Sequence, residues 1–261
     1  MKVFACDLDQ TLIFSNKWTK IPQIKHGDIA CVEEYEGRPA SFMLKRSLEI
    51  LRYISSVYRF VPVTTRTIEQ FNRVQLINTH IPVAIVSNGG VVLVNGQLDE
   101  EWASRIERDM RAVSPLAEVE DTIRHLRKSK GFKRLVRADN LFLYIVMETA
   151  GFEATEINRL INPLEKMGWN VHINGKKIYI VPSCVSKGRA LEYVKKKFGY
   201  SWIIAAGDSS LDVAMREHAN VFLVPDHGKL AMKNRREDPI NENRLKHGYD
   251  LLVMALHYLM M

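Results

Sequence analysis

Cysteine is scarce in this chain of 261 residues, which contains three cysteines. Cys6, Cys31 and Cys184 form no CxxC pair and show no Cys/His spacing, so the pattern predicts neither a disulfide framework nor a structural zinc site. An odd, unpaired set of cysteines is typical of a reducing compartment. We therefore expect a cytoplasmic protein.

No apolar stretch is long enough to cross a bilayer. The segment at 141–147 has the length of a strand and not the roughly twenty residues of a membrane-spanning helix. At the N-terminus, Asp7 and Asp9 interrupt the apolar run, so we expect no signal peptide. The sequence also shows no internal repeat and no low-complexity segment. These features predict a protein with no membrane partner.

The overall composition is that of an ordinary globular protein, with 46% hydrophobic and 26% charged residues and a net charge of +7. This charge suits an anionic small substrate as well as nucleic acid. Basic residues gather at 195–197 and 233–236, but without the interleaved aromatic residues of a single-strand-binding surface. The runs therefore favour solvated helix faces and argue against a nucleic-acid partner.

Strand and helix patterns alternate in the first and last thirds of the chain. Short apolar segments at 2–6, 60–63 and 83–86 are separated by amphipathic helical patterns. This order is typical of an α/β fold with a Rossmann-like parallel sheet and crossover helices. Ligands bind at the carboxyl ends of the strands in such sheets, and Asp7 and Thr64 lie at two such ends.

Two hairpins and a central region depart from this alternation. The hairpin turns are predicted at Glu36-Gly37 and at Asn174-Gly175. The central region combines a helical stretch, broken near residue 114, with strands of its own. We therefore predict an inserted α+β domain over residues 89–178 and a core domain formed by residues 1–88 and 179–261.

Two carboxylates one residue apart, Asp7 and Asp9, end the first apolar segment. In an extended segment, side chains at i and i+2 project to the same side, so both would point into one space. Like charges at close range are costly unless a cation lies between them, and Mg²⁺ prefers oxygen ligands. The alternative is a strand end that runs into a polar loop.

Polar residues elsewhere favour the first interpretation. The residues that follow predicted strands or begin helices form one set: Asp7, Asp9, Thr64, Lys187, Asp208 and Asp212. Phosphoryl transfer through an aspartyl-phosphate needs such groups. One carboxylate attacks phosphorus, a second protonates the leaving oxygen and then activates water, and a hydroxyl and an ammonium hold the transferring oxygens.

In order and spacing, these motifs resemble those of the haloacid dehalogenase (HAD) superfamily. The matching segments are DLDQTLI at 7–13, TTRT at 64–67, SNGG at 87–90, VPSCVSKGRAL at 181–191 and GDSSLDVAM at 207–215. The resemblance covers nearly the whole chain. It is to phosphatases with a large inserted α/β cap, namely the Cof-like, sucrose-phosphatase-like and mannosyl-3-phosphoglycerate-phosphatase-like group.

The resemblance implies a role for each residue that begins a motif. Asp7 would be the nucleophile, and Asp9 would be the general acid/base and a metal ligand through its backbone carbonyl. Thr64 and Lys187 would bind the phosphoryl group, and Lys187 would also offset the charge on Asp7. Together these four residues are the predicted catalytic set.

The resemblance also implies a metal and further substrate contacts. Asp208 would bind Mg²⁺ through its side chain, and Asp212 would either bind the metal or hold a ligand in place. The implied metal set is therefore Asp7, Asp9, Asp208 and Asp212. Thr65, Arg66 and Asn88 would contact the substrate beside Lys187.

Three positions depart from the family pattern. Gln10 and Thr65 stand where the family usually has glycine, and Leu211 replaces a common asparagine near the metal. Side chains at the first two positions could narrow the phosphate pocket or add hydrogen bonds. The acidic pair Asp208 and Asp212 is retained, so we expect metal binding to remain.

The resemblance thus implies a Mg²⁺-dependent phosphatase acting on a small phosphorylated metabolite, a sugar phosphate or sugar-acid phosphate. An acid at the position of Asp9 separates it from dehalogenases, which lack one there. A phosphomannomutase-like phosphomutase is one alternative. The other is a non-catalytic HAD-fold regulatory protein, which Gln10 and Leu211 make conceivable.

Overall fold

The computed structural model describes residues 1–19, 25–76, 81–148, 154–228, 230 and 244–261. Within them the chain divides into two compact units. The core unit comprises Met1–Leu98 and Lys187–Met261, and the inserted unit comprises Asp99–Ser186. The inserted unit therefore begins at residue 99 and ends at residue 186, whereas the sequence pattern placed the insertion at 89–178.

The described strands are β1 (Lys2–Cys6), β2 (Phe14–Ser15), β3 (Ile29–Tyr35), β4 (Arg38–Leu44), β5 (Arg59–Pro62), β6 (Val83–Val86), β7 (Val91–Val94), β8 (Gln97–Leu98), β9 (Phe132–Ala138), β10 (Phe142–Met147), β11 (Trp169–Asn174), β12 (Lys177–Pro182), β13 (Trp202–Ala206) and β14 (Val221–Leu223). The described α-helices are α1 (Lys45–Val57), α2 (Ile68–Asn72), α3 (Glu100–Met110), α4 (Leu116–Thr122), α5 (Ala154–Lys166), α6 (Lys187–Phe198) and α7 (Arg244–Met260). Short 3₁₀ helices occur at Asn16–Trp18, His26–Asp28, Ser87–Gly89, Arg124–Lys128 and Val213–His218.

A parallel sheet with the order β14-β13-β1-β5 forms the centre of the core unit. β6 lies next to β5 but joins it through one parallel bridge, Val63 with Ile85. β6 instead pairs along its length with β7 in a separate antiparallel sheet, β6-β7-β8. This pairing is the reason that residues 89–98 belong to the core unit. The predicted α/β core with a parallel sheet is confirmed.

Both faces of the central strands are buried. Phe4 and Cys6 on one face of β1 belong to an apolar cluster with Leu51 of α1 and Leu252 of α7. The alternate β1 residues face the other side and are also buried, as expected for a parallel sheet covered on both faces. Because packing on both faces holds these strands in place, it also holds the positions of their carboxyl ends.

The hairpin of β3 and β4 turns at Glu36 and Gly37, whose φ angles of 51° and 69° are those of a tight hairpin turn. The predicted turn is confirmed. Register shifts interrupt the β3–β4 ladder on both sides of Glu33. Val32 and Glu33 are consequently both buried, although successive residues of a regular strand point to opposite faces.

The inserted unit contains an antiparallel sheet with the order β11-β12-β10-β9 and the helices α3, α4 and α5. The predicted break in its helical stretch is confirmed, because α3 ends at Met110 and α4 begins at Leu116. Ser114, in the break, accepts a hydrogen bond of 2.9 Å from the Trp169 indole N–H. Within the described residues, none of the helices combines the length and apolar composition of a transmembrane segment.

Candidate active site

Asp7 is placed by the end of β1. Its backbone N–H donates to the Ala206 carbonyl at 2.9 Å, which carries the pairing of β1 and β13 one residue further. The loop after it folds back on Leu8, whose carbonyl accepts from Leu12 and Ile13 at 2.9 Å each. The Thr11 hydroxyl donates to Asp7 Oδ2 at 3.0 Å. The Asp7 side chain is therefore held at the carboxyl edge of the parallel sheet.

Lys187, the first residue of α6, lies buried between two carboxylates. Its Nζ donates to Asp7 Oδ1 and to Asp212 Oδ1, each at 2.6 Å. Burial acts to lower the pKa of Lys187, but Asp212 and Asp7 outweigh it, so the pKa lies well above its usual value. Lys187 therefore remains an ammonium. A Cβ on Gly188 would lie 2.1 Å from the Ala214 carbonyl oxygen, so glycine there lets α6 start this close to the loop.

Asp212 is held by the loop that follows β13. Its Oδ2 accepts from the Ser209 backbone N–H at 2.9 Å and from the Ser209 hydroxyl at 2.7 Å. A Cβ on Gly207 would lie 2.2 Å from the Asp212 Cβ, so only glycine permits this tight turn. The loop therefore folds back, so that Asp212 lies near Asp208 at the carboxyl end of β13.

Three buried carboxylates meet at this edge. Oxygens of Asp7, Asp208 and Asp212 lie within 4.8 Å of one another. Burial raises the pKa of Asp7 well above its usual value; Lys187 acts in the opposite direction, and Asp212 and Asp208 raise it further. A cation would favour the ionised forms, and a buried set of oxygen ligands fits Mg²⁺.

Two neighbouring loops place Thr64 and Asn88. The Asn88 N–H donates to the Thr64 carbonyl at 2.9 Å, and the Ser87 N–H donates to the Arg66 carbonyl at 2.7 Å. Ser87 and Asn88 adopt left-handed backbone angles, with φ of 51° and 58°, which is costly away from glycine and common at functional sites. Asn88 is buried, and its Oδ1 has no hydrogen-bond partner within the described residues.

Asp9 has surroundings unlike those of Asp7. Its side chain is 46% exposed and forms a two-bond pair with Arg66, from Nε to Oδ2 at 2.8 Å and from Nη2 to Oδ1 at 2.9 Å. Arg66 also binds both carboxylate oxygens of Glu33. The two carboxylates of the DLD motif therefore carry different partners, although one residue separates them.

With this geometry established, comparison with known proteins identifies the family. The chain matches the model of the sucrose-6F-phosphate phosphohydrolase family over residues 1–249. The chain belongs to this family. The family is one of phosphoric monoester hydrolases, which confirms the enzyme class, and it is the sucrose-phosphatase group that the motifs resemble, which confirms the resemblance. No curated protein matches the chain in sequence.

Solved structures support the fold. The sucrose-phosphatase of Synechocystis sp. PCC6803, solved with sucrose and phosphate, is similar with a TM-score of 0.62 at 12% identity, over 100% of this chain and 98% of that chain. A HAD subclass IIB sugar phosphatase gives a TM-score of 0.61 at 14% identity over 100% of both chains. A HAD phosphatase from Bacteroides thetaiotaomicron gives 0.56 at 14% identity, over 100% and 95%. At these identities the likeness shows the fold alone.

The structure brings together most residues predicted for the family's active site. Asp7, Lys187, Asp208 and Asp212 form one buried cluster. Thr64 is fully buried, and its Oγ1 accepts from the Arg66 N–H at 3.2 Å. The remaining predicted residues divide into partly buried Thr65 and Arg66, buried Asn88, and partly exposed Asp9.

Sequence reasoning missed several polar residues that hold the predicted ones in place. They are Thr11, Glu33 and Ser209, which contact Asp7, Arg66 and Asp212 respectively. Thr11 and Ser209 lie inside the matched motifs, so their positions offered a signal. Glu33 offered none, because it is distant in sequence and a bulge turns it inward.

Gln10 and Leu211 are two of the three positions that depart from the family pattern. Gln10 has a φ of 66°, the left-handed region in which glycine is favoured. Its carbonyl lies 2.6 Å from His227 Nε2, so this ring nitrogen carries the proton and donates. Leu211 is buried, and Asp208 and Asp212 still converge beside it. The acidic cluster therefore does not depend on an asparagine at this position.

Proposed function

We propose that this protein is a Mg²⁺-dependent phosphatase that hydrolyses a phosphorylated sugar through an aspartyl-phosphate on Asp7. The observation that supports it best is the buried Lys187 ammonium, bound at 2.6 Å to both Asp7 and Asp212 in a cluster with Asp208. A structural ion pair needs one carboxylate for each ammonium. A surplus of buried carboxylates suits a site that receives a cation and a phosphoryl group.

In the first step an Asp7 carboxylate oxygen attacks phosphorus, and the bond from phosphorus to the sugar oxygen breaks. Asp9, in its protonated form, gives its proton to the departing oxygen. Lys187 and the Thr64 hydroxyl would donate to the transferring phosphoryl oxygens. The sugar alcohol leaves, and phosphorus is bonded to Asp7.

In the second step Asp9, now ionised, takes a proton from water as the water oxygen attacks phosphorus. The bond between Asp7 and phosphorus breaks, which releases inorganic phosphate and restores the Asp7 carboxylate. Asp9 is again protonated and ready for the next substrate. The partial exposure of its side chain suits a group that must meet both a leaving oxygen and a water.

Asp7, Asp208 and Asp212 would hold Mg²⁺, with the Asp9 backbone carbonyl as the further protein ligand implied by the resemblance. When bound, the cation offsets the negative charges of the nucleophile and the phosphate. Asp212 also holds Lys187 in place through its Oδ1. In this proposal Asp212 therefore serves the ammonium as well as the cation.

The substrate class rests on family membership and charge. The family is named for sucrose-6F-phosphate, and one similar structure contains sucrose and phosphate. A net charge of +7 favours an anionic substrate. Cys6, Cys31 and Cys184 are present as thiols and not as disulfides, which favours a reducing compartment, so a cytoplasmic location is part of the proposal.

The test is phosphate release from a panel of sugar phosphates, with and without Mg²⁺. The panel contains sucrose-6F-phosphate, trehalose 6-phosphate, hexose phosphates and a nucleotide. We expect Mg²⁺-dependent release that Asp7→Asn abolishes, whereas Asp28→Asn, at an exposed aspartate, leaves it unchanged. Release that survives Asp7→Asn would contradict the mechanism.

Two other outcomes would favour the alternatives. Transfer of phosphate between positions of one sugar, without net release, would indicate a phosphomutase. Binding of Mg²⁺ and a phosphate analogue without turnover of any panel member would indicate a non-catalytic regulatory protein.

A further inference from the structure

Glu33 is a buried carboxylate on a surface hairpin. Register shifts separate it from Cys31 and from Glu34 in the ladder with β4, so the strand is bulged at this residue. The bulge turns its side chain inward, next to buried Val32, and leaves 4% of that side chain exposed. Bulges are frequent beside active sites, where they re-aim a side chain.

The partners of Glu33 keep it ionised. Arg66 donates from Nη1 to Oε1 at 2.8 Å and from Nη2 to Oε2 at 2.9 Å. The Ser41 hydroxyl donates to Oε2 at 2.5 Å, and Arg73 Nε donates to Oε1 at 3.3 Å. Burial acts to raise the pKa of Glu33, but the hydrogen bonds from Arg66 and Ser41 outweigh it, and the pKa lies below its usual value.

Arg66 links Glu33 to Asp9. Its Nε and Nη2 bind the Asp9 carboxylate, its Nη1 and Nη2 bind Glu33, and Nη1 also donates to the Gln70 carbonyl at 3.2 Å. These contacts account for the five N–H groups of a guanidinium. Because the guanidinium is planar, a carboxylate that fixes one edge fixes the orientation of the other edge as well.

Because these N–H groups already donate to protein acceptors, we do not expect Arg66 to bind the substrate directly. We propose that Glu33 is a positioning residue for Asp9 and acts through Arg66, which holds the Asp9 carboxylate in the orientation from which it exchanges a proton. The inference rests on the proposed function, in which Asp9 is the general acid and base. An exposed carboxylate otherwise rotates freely, and misplacement of a catalytic group by about 1 Å can cost about 100-fold in rate.

The test is the kinetics of Glu33→Gln in the full-length chain with Mg²⁺. The substrate is sucrose-6F-phosphate, or the hexose phosphate that the panel ranks first. We expect kcat to fall by about 10- to 100-fold while KM and inhibition by inorganic phosphate change by less than about threefold, because the phosphoryl site is intact. Glu34→Gln is the matched control, since Glu34 is the next residue of the same strand and is exposed.

A double-substitution cycle separates positioning from a general structural role. If Glu33 acts through Asp9, then Glu33→Gln lowers kcat in the wild-type chain and has no further effect in the Asp9→Asn chain. An equal loss of kcat in both backgrounds would overturn the inference. A Glu33→Gln variant with the same kcat as Glu34→Gln would also overturn it.

A second substitution covers the case in which Glu33→Gln does not fold. Arg66→Lys keeps the positive charge but cannot bind two carboxylates with paired hydrogen bonds. We expect Arg66→Lys to lower kcat by about 10- to 100-fold, as Glu33→Gln does. Inhibition by inorganic phosphate should be retained. Full activity of Arg66→Lys would overturn the inference. Absence of phosphate release by the wild-type chain would overturn the proposed function itself, and this inference with it.

Discussion

The two carboxylates of one short loop sit in two different electrostatic environments. Asp7 is buried, bound to a buried ammonium, and clustered with Asp208 and Asp212. Asp9 is half exposed and bound to a guanidinium that a second carboxylate, Glu33, holds in place. Environments of this kind allow two chemically identical groups to take different roles. In the proposed mechanism the buried carboxylate attacks phosphorus and the exposed one transfers the proton.

Removal of the Lys187 ammonium, which is bound to Asp7, should have the largest effect on stability. Lys187→Met leaves Asp7 and Asp212 buried beside each other without their shared cation, so we expect the free energy of unfolding to fall by about 3–5 kcal/mol. Urea unfolding without Mg²⁺ measures it. Lys196→Met is the control, because Lys196 pairs with Glu192 on an exposed face of α6, and we expect a change below about 0.5 kcal/mol. Equal losses in the two variants would contradict the account.

The network around Asp9 should respond to pH through Glu33. Its folded pKa lies below the usual value, so its stabilising contribution is present above about pH 4.3 and is lost as the pH falls through the folded pKa. We expect Glu33→Gln to lower the free energy of unfolding by about 1–2 kcal/mol at pH 7, and the difference from wild type to shrink at acidic pH. Urea unfolding at several pH values checks this. A difference that does not vary with pH would contradict it.

The backbone directly after the two carboxylates should give the smallest effect. Gln10 has a φ of 66°, so we expect Gln10→Gly to raise the free energy of unfolding by about 0.5–1 kcal/mol. In contrast, Gln97→Gly in the exposed strand β8 should lower it by a similar amount, because glycine there only adds freedom to the unfolded chain. Thermal unfolding of both variants is the measurement. Destabilisation by Gln10→Gly would show that the side chain, and not the backbone angle, matters at this position.

Residues that lie on strand ends were predictable because the parallel sheet fixes where those ends meet. The positions of Asp7, Thr64 and Asp208 follow from the alternation of strands and helices together with the motif order, and so does the position of Lys187 at the start of α6. The boundary of the inserted unit did not follow. Residues 91–94 pair with β6 in the core unit, and the sequence does not show which neighbour a short apolar strand selects.

The network that distinguishes Asp9 from Asp7 was not predictable. Arg66 lies in a recognised motif, and the resemblance implied a substrate contact for it. Its observed partner Glu33 is brought near by a bulge, which reverses the inside-outside alternation on which strand predictions depend. The pairing of Gln10 with His227 joins residues more than two hundred positions apart. Contacts of this kind depend on tertiary packing and leave no local pattern.

The unequal roles of the two carboxylates can be tested by trapping the intermediate in the Asp9→Asn variant. Asp9→Asn lacks both the general acid of the first step and the general base of the second, so the substrate for this test is p-nitrophenyl phosphate, whose leaving group departs without protonation. Hydrolysis of the acyl phosphate should then be the slow step, and phosphate should accumulate on the protein in the presence of Mg²⁺. Borohydride reduction followed by peptide mass spectrometry identifies the modified residue. We expect Asp7 to be converted to homoserine in this variant, and no such conversion in Asp7→Asn. Reduction at another carboxylate, or turnover with no trapped species at Asp7, would contradict it.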